Sequence, residues 1–289
     1  FILKQKKDYS FEYSKELVLE VYKNFSDNFF NLANNIFEHQ HVHSDSLKNK
    51  KSGAFCYSYD KDKIPFILLN HNNDLNSLFT MAHELGHGIH SSLSKNKTQS
   101  TFHPSIVIAE TASIFGEMLL MDHLKNKASK EEKLYILFHH LDSLFSTILR
   151  QIYFTLFEIK AYDKILQGAS IAELSEIYNT ILTQQFNDME ISEQFNFEWL
   201  RIPHIFESPF YCYSYAFGNL LVLALFKLYE KDKESFVTKY TNILSQGGDE
   251  DVSEILIKSG IDISNQEFWE SAFNKIEDYL TELETLVNN

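Results

Sequence analysis

Cysteine, proline and glycine are all scarce in this chain of 289 residues, and each scarcity limits the range of possible folds. The two cysteines, Cys56 and Cys212, are too few for a disulfide framework or a thiolate metal site, so we expect a reducing, cytoplasmic location. Only four prolines and nine glycines interrupt the chain. So few turn-forming residues favour long helices over a fold built from many tight turns.

Basic charge and long apolar runs are scarce as well. The formal net charge of −14 argues against a general nucleic-acid binder, because affinity for phosphate requires a basic surface. The longest uninterrupted apolar run, 220–226, is far shorter than the roughly 20 residues of a membrane helix. No apolar segment follows the basic N-terminal residues, as one would in a secretory signal. We expect no nucleic-acid or membrane partner, and the sequence does not determine the oligomeric state.

Aromatic residues, by contrast, are plentiful, with 25 Phe and 15 Tyr, and the chain is long enough to bury a sizeable core. Hydrophobic periodicity and turn residues predict a mainly α protein with a small β-sheet just before a histidine-rich helix, in one domain over 1–289. The predicted order is a long helix or a broken pair (11–37), a polar loop (38–53), strands (54–59 and 65–70), helices (about 75–94 and from after Pro104), and further helices to the C-terminus.

Local signals mark where several of these helices begin and end. Ser129 with Glu132 predicts a capping box that opens a very long helix to about Leu166, and Ser170 with Glu173 predicts another, for a helix to about Phe186. A Ser-Pro pair at 208–209 predicts a helix beginning at the proline.

The segment "TMAHELGHGIH", 80–90, places three histidines and a glutamate on a predicted helix. His83 and His87 are four positions apart, so their side chains lie about 40° apart around the helix axis and can share one metal ion. Glu84 lies beside them, free to handle a proton. Two histidines at this spacing are often ordinary surface or core residues, but His-Glu-x-x-His is a more specific pattern of a metal site.

A catalytic zinc site needs three protein ligands and one open position, so a further ligand is required. Glu110 and Glu117 are two helical turns apart on the next predicted helix, in the otherwise apolar segment "SIVIAETASIFGEMLLM". They could form an exposed acidic stripe, yet a carboxylate in so apolar a segment should have a strong partner. A metal ion suits Glu110, and the second N–H of a metal-bound imidazole suits Glu117. Small residues around them would let another helix approach closely.

Three separated segments, "MAHELGHGIHSSLS", "IVIAETASIFGEMLL" and "PHIFESPFYCYSYAFGNLL", resemble the thimet oligopeptidase class of zinc metallopeptidases, in particular bacterial oligoendopeptidase F. The resemblance extends from residue 52 to the C-terminal helices. It implies a zincin-like multi-helix catalytic domain with one zinc ion per chain. By this resemblance His83, His87 and Glu110 bind zinc, Glu84 is the general base, and Glu117 supports a zinc ligand.

The resemblance also implies an edge strand that pairs with an extended peptide, here within "SGAFCYSY". Members of the class are about twice as long, with an N-terminal helical lobe that forms the other wall of a deep channel. The chain also begins with Phe. We therefore expect it to be the C-terminal, catalytic part of a longer protein.

His204, Tyr211 and Tyr215 lie in the third of these segments, about 120 residues beyond the metal motif. With a helix beginning at the proline at 209, the two tyrosines would share one face. They could be helix-packing aromatics. Amide hydrolysis, however, builds negative charge on the carbonyl oxygen, and a phenol O–H or imidazole N–H there lowers the barrier. The resemblance implies the same role, without fixing which tyrosine performs it.

These patterns predict a zinc-dependent endopeptidase that hydrolyses short, unstructured oligopeptides with Glu84 as the base. An alternative is a non-catalytic or inactive peptide-binding fragment that retains the metal site. A purely structural zinc clamp is a weaker hypothesis, because structural sites are normally closed by four Cys or His ligands.

Overall fold

Helices dominate the computed structural model, which describes residues 7–186, 189 and 191–288. The mainly α class predicted from the sequence is confirmed. The first six residues, part of the N-terminal stretch judged to lack a secretory signal, lie outside the described residues. The helices are α1 (Phe11–Phe25), α2 (Asp27–Glu38), α3 (Leu75–Leu93), α4 (Ile106–Lys127), α5 (Lys130–Leu144), α6 (Arg150–Ile165), α7 (Ile171–Phe186), α8 (Pro203–Glu207), α9 (Cys212–Lys231), α10 (Lys233–Leu244), α11 (Val252–Lys258) and α12 (Gln266–Asn288).

A three-stranded sheet precedes α3 in the chain. Its strands β1 (Val42–His43), β2 (Phe55–Tyr57) and β3 (Phe66–Leu68) lie in the order β1-β3-β2. Strand β1 runs parallel to β3, and β2 runs antiparallel to it, which leaves β2 as an edge strand. The prediction of a loop throughout 38–53 was wrong at β1, because two residues are too short to show an alternating pattern.

The first predicted helix is a broken pair, one of the two alternatives that the periodicity left open. Ser26 ends α1 in an extended conformation (φ −164°), and its side chain accepts a hydrogen bond from the Asn28 N–H at 3.2 Å. Serine at this position therefore caps α2 while it ends α1.

The chain divides into two compact units, residues 1–140 with 221–289 and residues 141–220. In the first unit, the Tyr22 hydroxyl donates to the Ala82 carbonyl oxygen on α3 at 2.7 Å, and the Tyr240 hydroxyl donates to the Thr111 carbonyl oxygen on α4 at 3.2 Å. These bonds fix the two helices that carry the predicted metal ligands. The second unit has its own core, formed by Phe154, Phe157, Ala161, Leu174, Tyr178, Ile181, Leu182, Trp199, Ile205 and Cys212. One catalytic domain over the whole chain stays a prediction.

Both capping boxes form. The Ser129 N–H donates to Glu132 Oε2 at 3.0 Å, and the Ser170 N–H donates to Glu173 Oε2 at 2.7 Å. The long helix that follows the first box is interrupted by a π-helical segment, Phe145–Leu149, which separates α5 from α6. It ends at Ile165, close to the predicted position.

The prediction that a helix begins at Pro209 was wrong by three residues, since α9 begins at Cys212. Phe210 has φ +60°, a left-handed conformation that no α-helix accommodates. Tyr211 therefore precedes the helix rather than lying in its first turn.

Among the described residues, α9 alone is long and apolar enough to cross a membrane by length and composition. However, 61% of its most apolar window is buried inside the structure, and the core helix of a soluble protein meets the same criteria. The helix is therefore weak evidence for a membrane partner.

Candidate functional site

Helix α3 carries the His-Glu-x-x-His segment. Its N-cap is Asp74, whose side chain accepts a hydrogen bond from the Ser77 N–H at 2.7 Å. The apolar side of the helix is buried, while His83 and His87 are half-buried at its margin. The buried side consists of Leu78, Ala82, Leu85 and Ile89. Amphipathic packing thus turns the two histidines away from the core.

Close contact between α3 and α4 brings the predicted ligands together. A Cβ atom on Gly86 would lie 2.7 Å from the Ala112 carbonyl oxygen and from the Ser113 Cα, so no side chain fits at this position. Gly116 on α4 faces the Tyr22 hydroxyl and the Ala82 carbonyl oxygen in the same way. Small residues at the contact let the backbones approach, and so let α4 present its carboxylates to α3.

His83, His87 and Glu110 form the centre of the site. Their ligand atoms all lie within 4.8 Å of one another, and His83 Nε2 is 3.6 Å from Glu110 Oε2. Two ligands each about 2.1 Å from a shared tetrahedral ion would be about 3.4 Å apart. The donor set and its spacing therefore fit a single metal ion.

The rings of both histidines are also held by hydrogen bonds to α4. His83 Nδ1 donates to Glu117 Oε1 at 2.5 Å, which leaves Nε2 facing Glu110. The His87 ring donates to the Ala109 carbonyl oxygen. Hydrogen bonds of this kind fix the tautomer and the orientation of a metal-binding imidazole.

Proton affinity differs sharply between the two histidines in the metal-free chain. Burial alone would lower the pKa of His83, but the hydrogen bond from its ring to Glu117 and the nearby charges of Glu84 and Glu110 raise it to about 9. Burial, together with the positive charge of His83, lowers the pKa of His87 to about 3. Metal ligands must be deprotonated, so a metal ion would displace the proton held at His83.

Glu84 has the environment of a proton acceptor. Its side chain is buried, it accepts a hydrogen bond from the Cys56 N–H on β2, and burial raises its pKa to about 7. Its Oε2 atom is buried and has no hydrogen-bond partner among the described residues. A buried carboxylate oxygen without a donor is costly, which indicates that a donor such as water belongs there during function.

The site opens into a cleft of about 500 Å³ in the first unit. Strand β2 contributes Cys56 to its wall, α3 contributes His90, and the segment before α4 contributes His103. His90 is 2% exposed and its Nε2 has no hydrogen-bond partner among the described residues.

The sequence did not predict the contact between the Cys56 N–H and Glu84, because a backbone donor leaves no signal in a pattern of side chains.

The second unit brings His204, Tyr211 and Tyr215 together. The Tyr215 hydroxyl lies 3.4 Å from His204 Nε2. The His204 ring stacks on Tyr211 with centroids 5.2 Å apart, and the two tyrosine rings meet edge to face, also at 5.2 Å. The three side chains, the aromatic cluster below, thus adjoin one another although Tyr211 lies outside α9.

Similarity to known proteins agrees with these features. The model of peptidase family M3 matches residues 6–275, nearly the whole chain. The chain belongs to peptidase family M3. The resemblance noted in the three sequence segments is thereby confirmed.

Two bacterial relatives illustrate the similarity. Oligopeptidase PepF of Bacillus subtilis is 31% identical over 284 residues, which cover 96% of this chain and 42% of the relative. An oligoendopeptidase F homologue of Borreliella burgdorferi is 33% identical over 261 residues, covering 88% of this chain and 44% of the relative. This chain therefore spans less than half the length of these M3 relatives.

Solved structures give the same fold. A structure described as that of a peptidase from Chlamydophila abortus superposes with a TM-score of 0.85 at 32% identity, covering 98% of this chain and 48% of that one. Oligoendopeptidase F from Enterococcus faecium superposes with a TM-score of 0.70 at 24% identity, over 97% and 44% of the two chains. At that lower identity the likeness concerns the fold alone.

Proposed function

We propose that this M3 chain is the catalytic part of a cytoplasmic, zinc-dependent endopeptidase that hydrolyses short, unstructured oligopeptides. One observation carries the proposal: His83, His87 and Glu110 converge beside a buried Glu84 oxygen that lacks a donor. Three ligands with a carboxylate next to them is the composition of a catalytic zinc site, whereas a structural site is normally closed by four ligands.

In the proposed mechanism His83, His87 and Glu110 hold one zinc ion. When bound, zinc would polarise the scissile carbonyl group and acidify a water molecule. Glu84 accepts the proton of the attacking water and then donates it to the amine nitrogen that leaves. Burial of Glu84 raises the pKa of its carboxyl group in the metal-free chain, which favours a role in which it accepts a proton and later returns it.

Strand β2 is the element we propose to bind the peptide. It is an edge strand, and its residues 55 and 56 line the same cleft as the proposed ligands. An extended peptide that adds to such an edge gains affinity from main-chain hydrogen bonds, which demand little of its sequence. A peptide within a folded protein cannot offer these groups, so we expect unstructured substrates to be preferred.

Metal analysis of the purified chain, together with cleavage of a quenched fluorescent peptide with and without chelator, tests the proposal. We expect one zinc ion per chain and cleavage that the chelator abolishes and added zinc restores. The assay is repeated with the full-length enzyme if this half-length chain does not cut. Peptide binding with zinc bound but no cleavage in either form would support a non-catalytic peptide-binding protein instead.

Glu117→Ala is expected to weaken zinc affinity by about 10–100-fold, as loss of a partner of a metal-bound histidine typically does. The reason is that His83 Nδ1 loses the acceptor that orients its ring. Zinc affinity is measured by competition with a chromophoric chelator. Glu117→Gln, whose amide oxygen can still accept from Nδ1, is the matched variant and should lose less. Equal affinities in the wild-type and Ala chains would contradict this role.

Removing polar groups of the aromatic cluster is expected to lower kcat with little change in zinc content. We propose that Tyr215, Tyr211 or His204 donates a hydrogen bond to the oxygen that becomes negatively charged in the reaction. Among Tyr215→Phe, Tyr211→Phe and His204→Ala, the worst loss should be roughly 10²–10³-fold, comparable to removal of one oxyanion-hole donor. Steady-state kinetics on one short peptide measure it, with Tyr213→Phe as the exposed control. Normal kcat in all three variants would return the cluster to a packing role.

A further inference from the structure

The turn between α8 and α9 contains an unusual backbone conformation. Phe210 has φ +60°, a region in which residues with a side chain are uncommon and aromatic residues especially so. Such a conformation persists only where the surrounding structure enforces it. The enforcing contacts come from α6, in the same unit.

Glu158 on α6 holds the backbone of this turn. Its Oε1 atom accepts a hydrogen bond from the Phe210 N–H at 2.8 Å, and the residue is 1% exposed. One helical turn further along α6, the Tyr162 ring stacks on the Phe210 ring with centroids 5.3 Å apart and planes 28° apart. Backbone and side chain of Phe210 are thus both held by one face of α6.

The aromatic cluster straddles this turn. His204 lies in α8 before it, whereas Tyr211 and Tyr215 follow it. The Tyr211 N–H donates to the Ser208 carbonyl oxygen at 3.0 Å, so the turn closes directly onto the first tyrosine. If Phe210 left the left-handed region, the ring of Tyr211 would leave its stacking contact with His204.

Packing alone does not account for Glu158. Burial raises the pKa of its carboxyl group, and the hydrogen bond from Phe210 and the charge of His204 only partly oppose this effect. Its Oε2 atom is buried without a hydrogen-bond partner among the described residues. A leucine would fill the same space without this desolvation cost. The presence of a carboxylate is therefore explained by the hydrogen bond that its Oε1 atom accepts from the Phe210 N–H.

We propose that Glu158 is a positioning residue, which fixes the left-handed turn at Phe210 and through it the aromatic cluster. Its consequence for catalysis rests on the proposed function of that cluster. The structural part of the proposal, that Glu158 holds the turn, does not rest on that function.

The test compares Glu158→Leu, which removes the acceptor, with Glu158→Gln, which keeps an acceptor oxygen without the charge. Hydrogen exchange of the Phe210 amide is expected to be about 10–100-fold faster in the Leu variant, the loss appropriate to a hydrogen bond to a charged group, and near wild type in the Gln variant. Glu198→Leu is the matched control, because Glu198 bonds Arg150 and Tyr178 in the same unit. It should leave the Phe210 amide unchanged relative to other amides of the unit.

Kinetics test the link to the cluster. Glu158→Leu should lower kcat by about tenfold or more, with KM and zinc content little changed. When Glu158→Leu is combined with the cluster variant that has the largest loss, it should lower kcat much less than it does alone. The reason is that the effects of residues that act as a unit are not additive. Phe210→Gly should restore part of the activity of Glu158→Leu, since glycine adopts positive φ freely. This double variant also serves if the Leu variant folds poorly.

Three outcomes separate the proposals. Unchanged Phe210 exchange in Glu158→Leu would overturn the hold on the turn, and additive losses in the combined variants would overturn its action through the cluster. Faster exchange at Phe210 while all three cluster variants keep a normal kcat would support the hold on the turn and overturn the proposed role of the cluster.

Discussion

Glu84→Gln is expected to leave zinc bound and to remove nearly all hydrolysis. The amide keeps the shape of the side chain and can still accept the hydrogen bond from the Cys56 N–H, so the local structure should survive. It cannot, however, take a proton from the attacking water. Loss of a general base is expected to cost about 10²–10⁴-fold or more in rate.

Single-turnover cleavage of a quenched peptide and metal analysis of the same sample measure this result. Glu12→Gln, which makes the same chemical change at an exposed position of α1, is the control. The pH profile adds a second readout. A base must be deprotonated to act, so the wild-type rate should rise with pH through the pKa of Glu84, which a bound cation lowers from about 7. The variant should lack that step, and near-normal turnover by it would refute Glu84 as the base.

The helices that carry this site could be predicted because their signals are local. Spacing of four positions places His83 and His87 on one helix face whatever surrounds them. The capping box at Ser129 sets a helix start through hydrogen bonds that span three residues, and it forms as predicted. Small residues on α4 likewise indicated a close helix contact, although not that Gly86 would be the partner.

What the sequence did not predict depends on contacts between distant residues. The Ser-Pro pair at 208–209 is a good local helix start, yet Phe210 is held out of the helix by Glu158, 52 positions earlier. Strand β1 exists because two residues pair with β3, not because of their own pattern. The hydrogen bond from the Cys56 N–H to Glu84 likewise arises only when β2 and α3 come together. In each case tertiary contacts override or complete a local preference.

Glu117 illustrates a distinction that bears on the metal. The two glutamates of α4 were assigned different roles, and the structure gives each a different nitrogen of the same imidazole. Glu117 lies against Nδ1 of His83 and Glu110 lies near Nε2. Only one of these nitrogens can face an ion that His87 also binds. Substitution of Glu110 should therefore remove a metal ligand, whereas substitution of Glu117 should remove only a support of His83.

Glu110→Ala is accordingly expected to lose the metal and, with it, all hydrolysis that depends on the metal. Two histidines alone are a weak chelate, so the loss of affinity should exceed the about 10–100-fold that removal of a supporting partner costs. Zinc occupancy is measured at buffered, low free zinc, because a high concentration would refill even a weak site. Asp122→Ala, which removes another carboxylate twelve positions further along α4, should retain zinc and activity. Full occupancy of Glu110→Ala at low free zinc would contradict its role as the third ligand. Glu117, the other carboxylate beside His83, would then be the ligand to test.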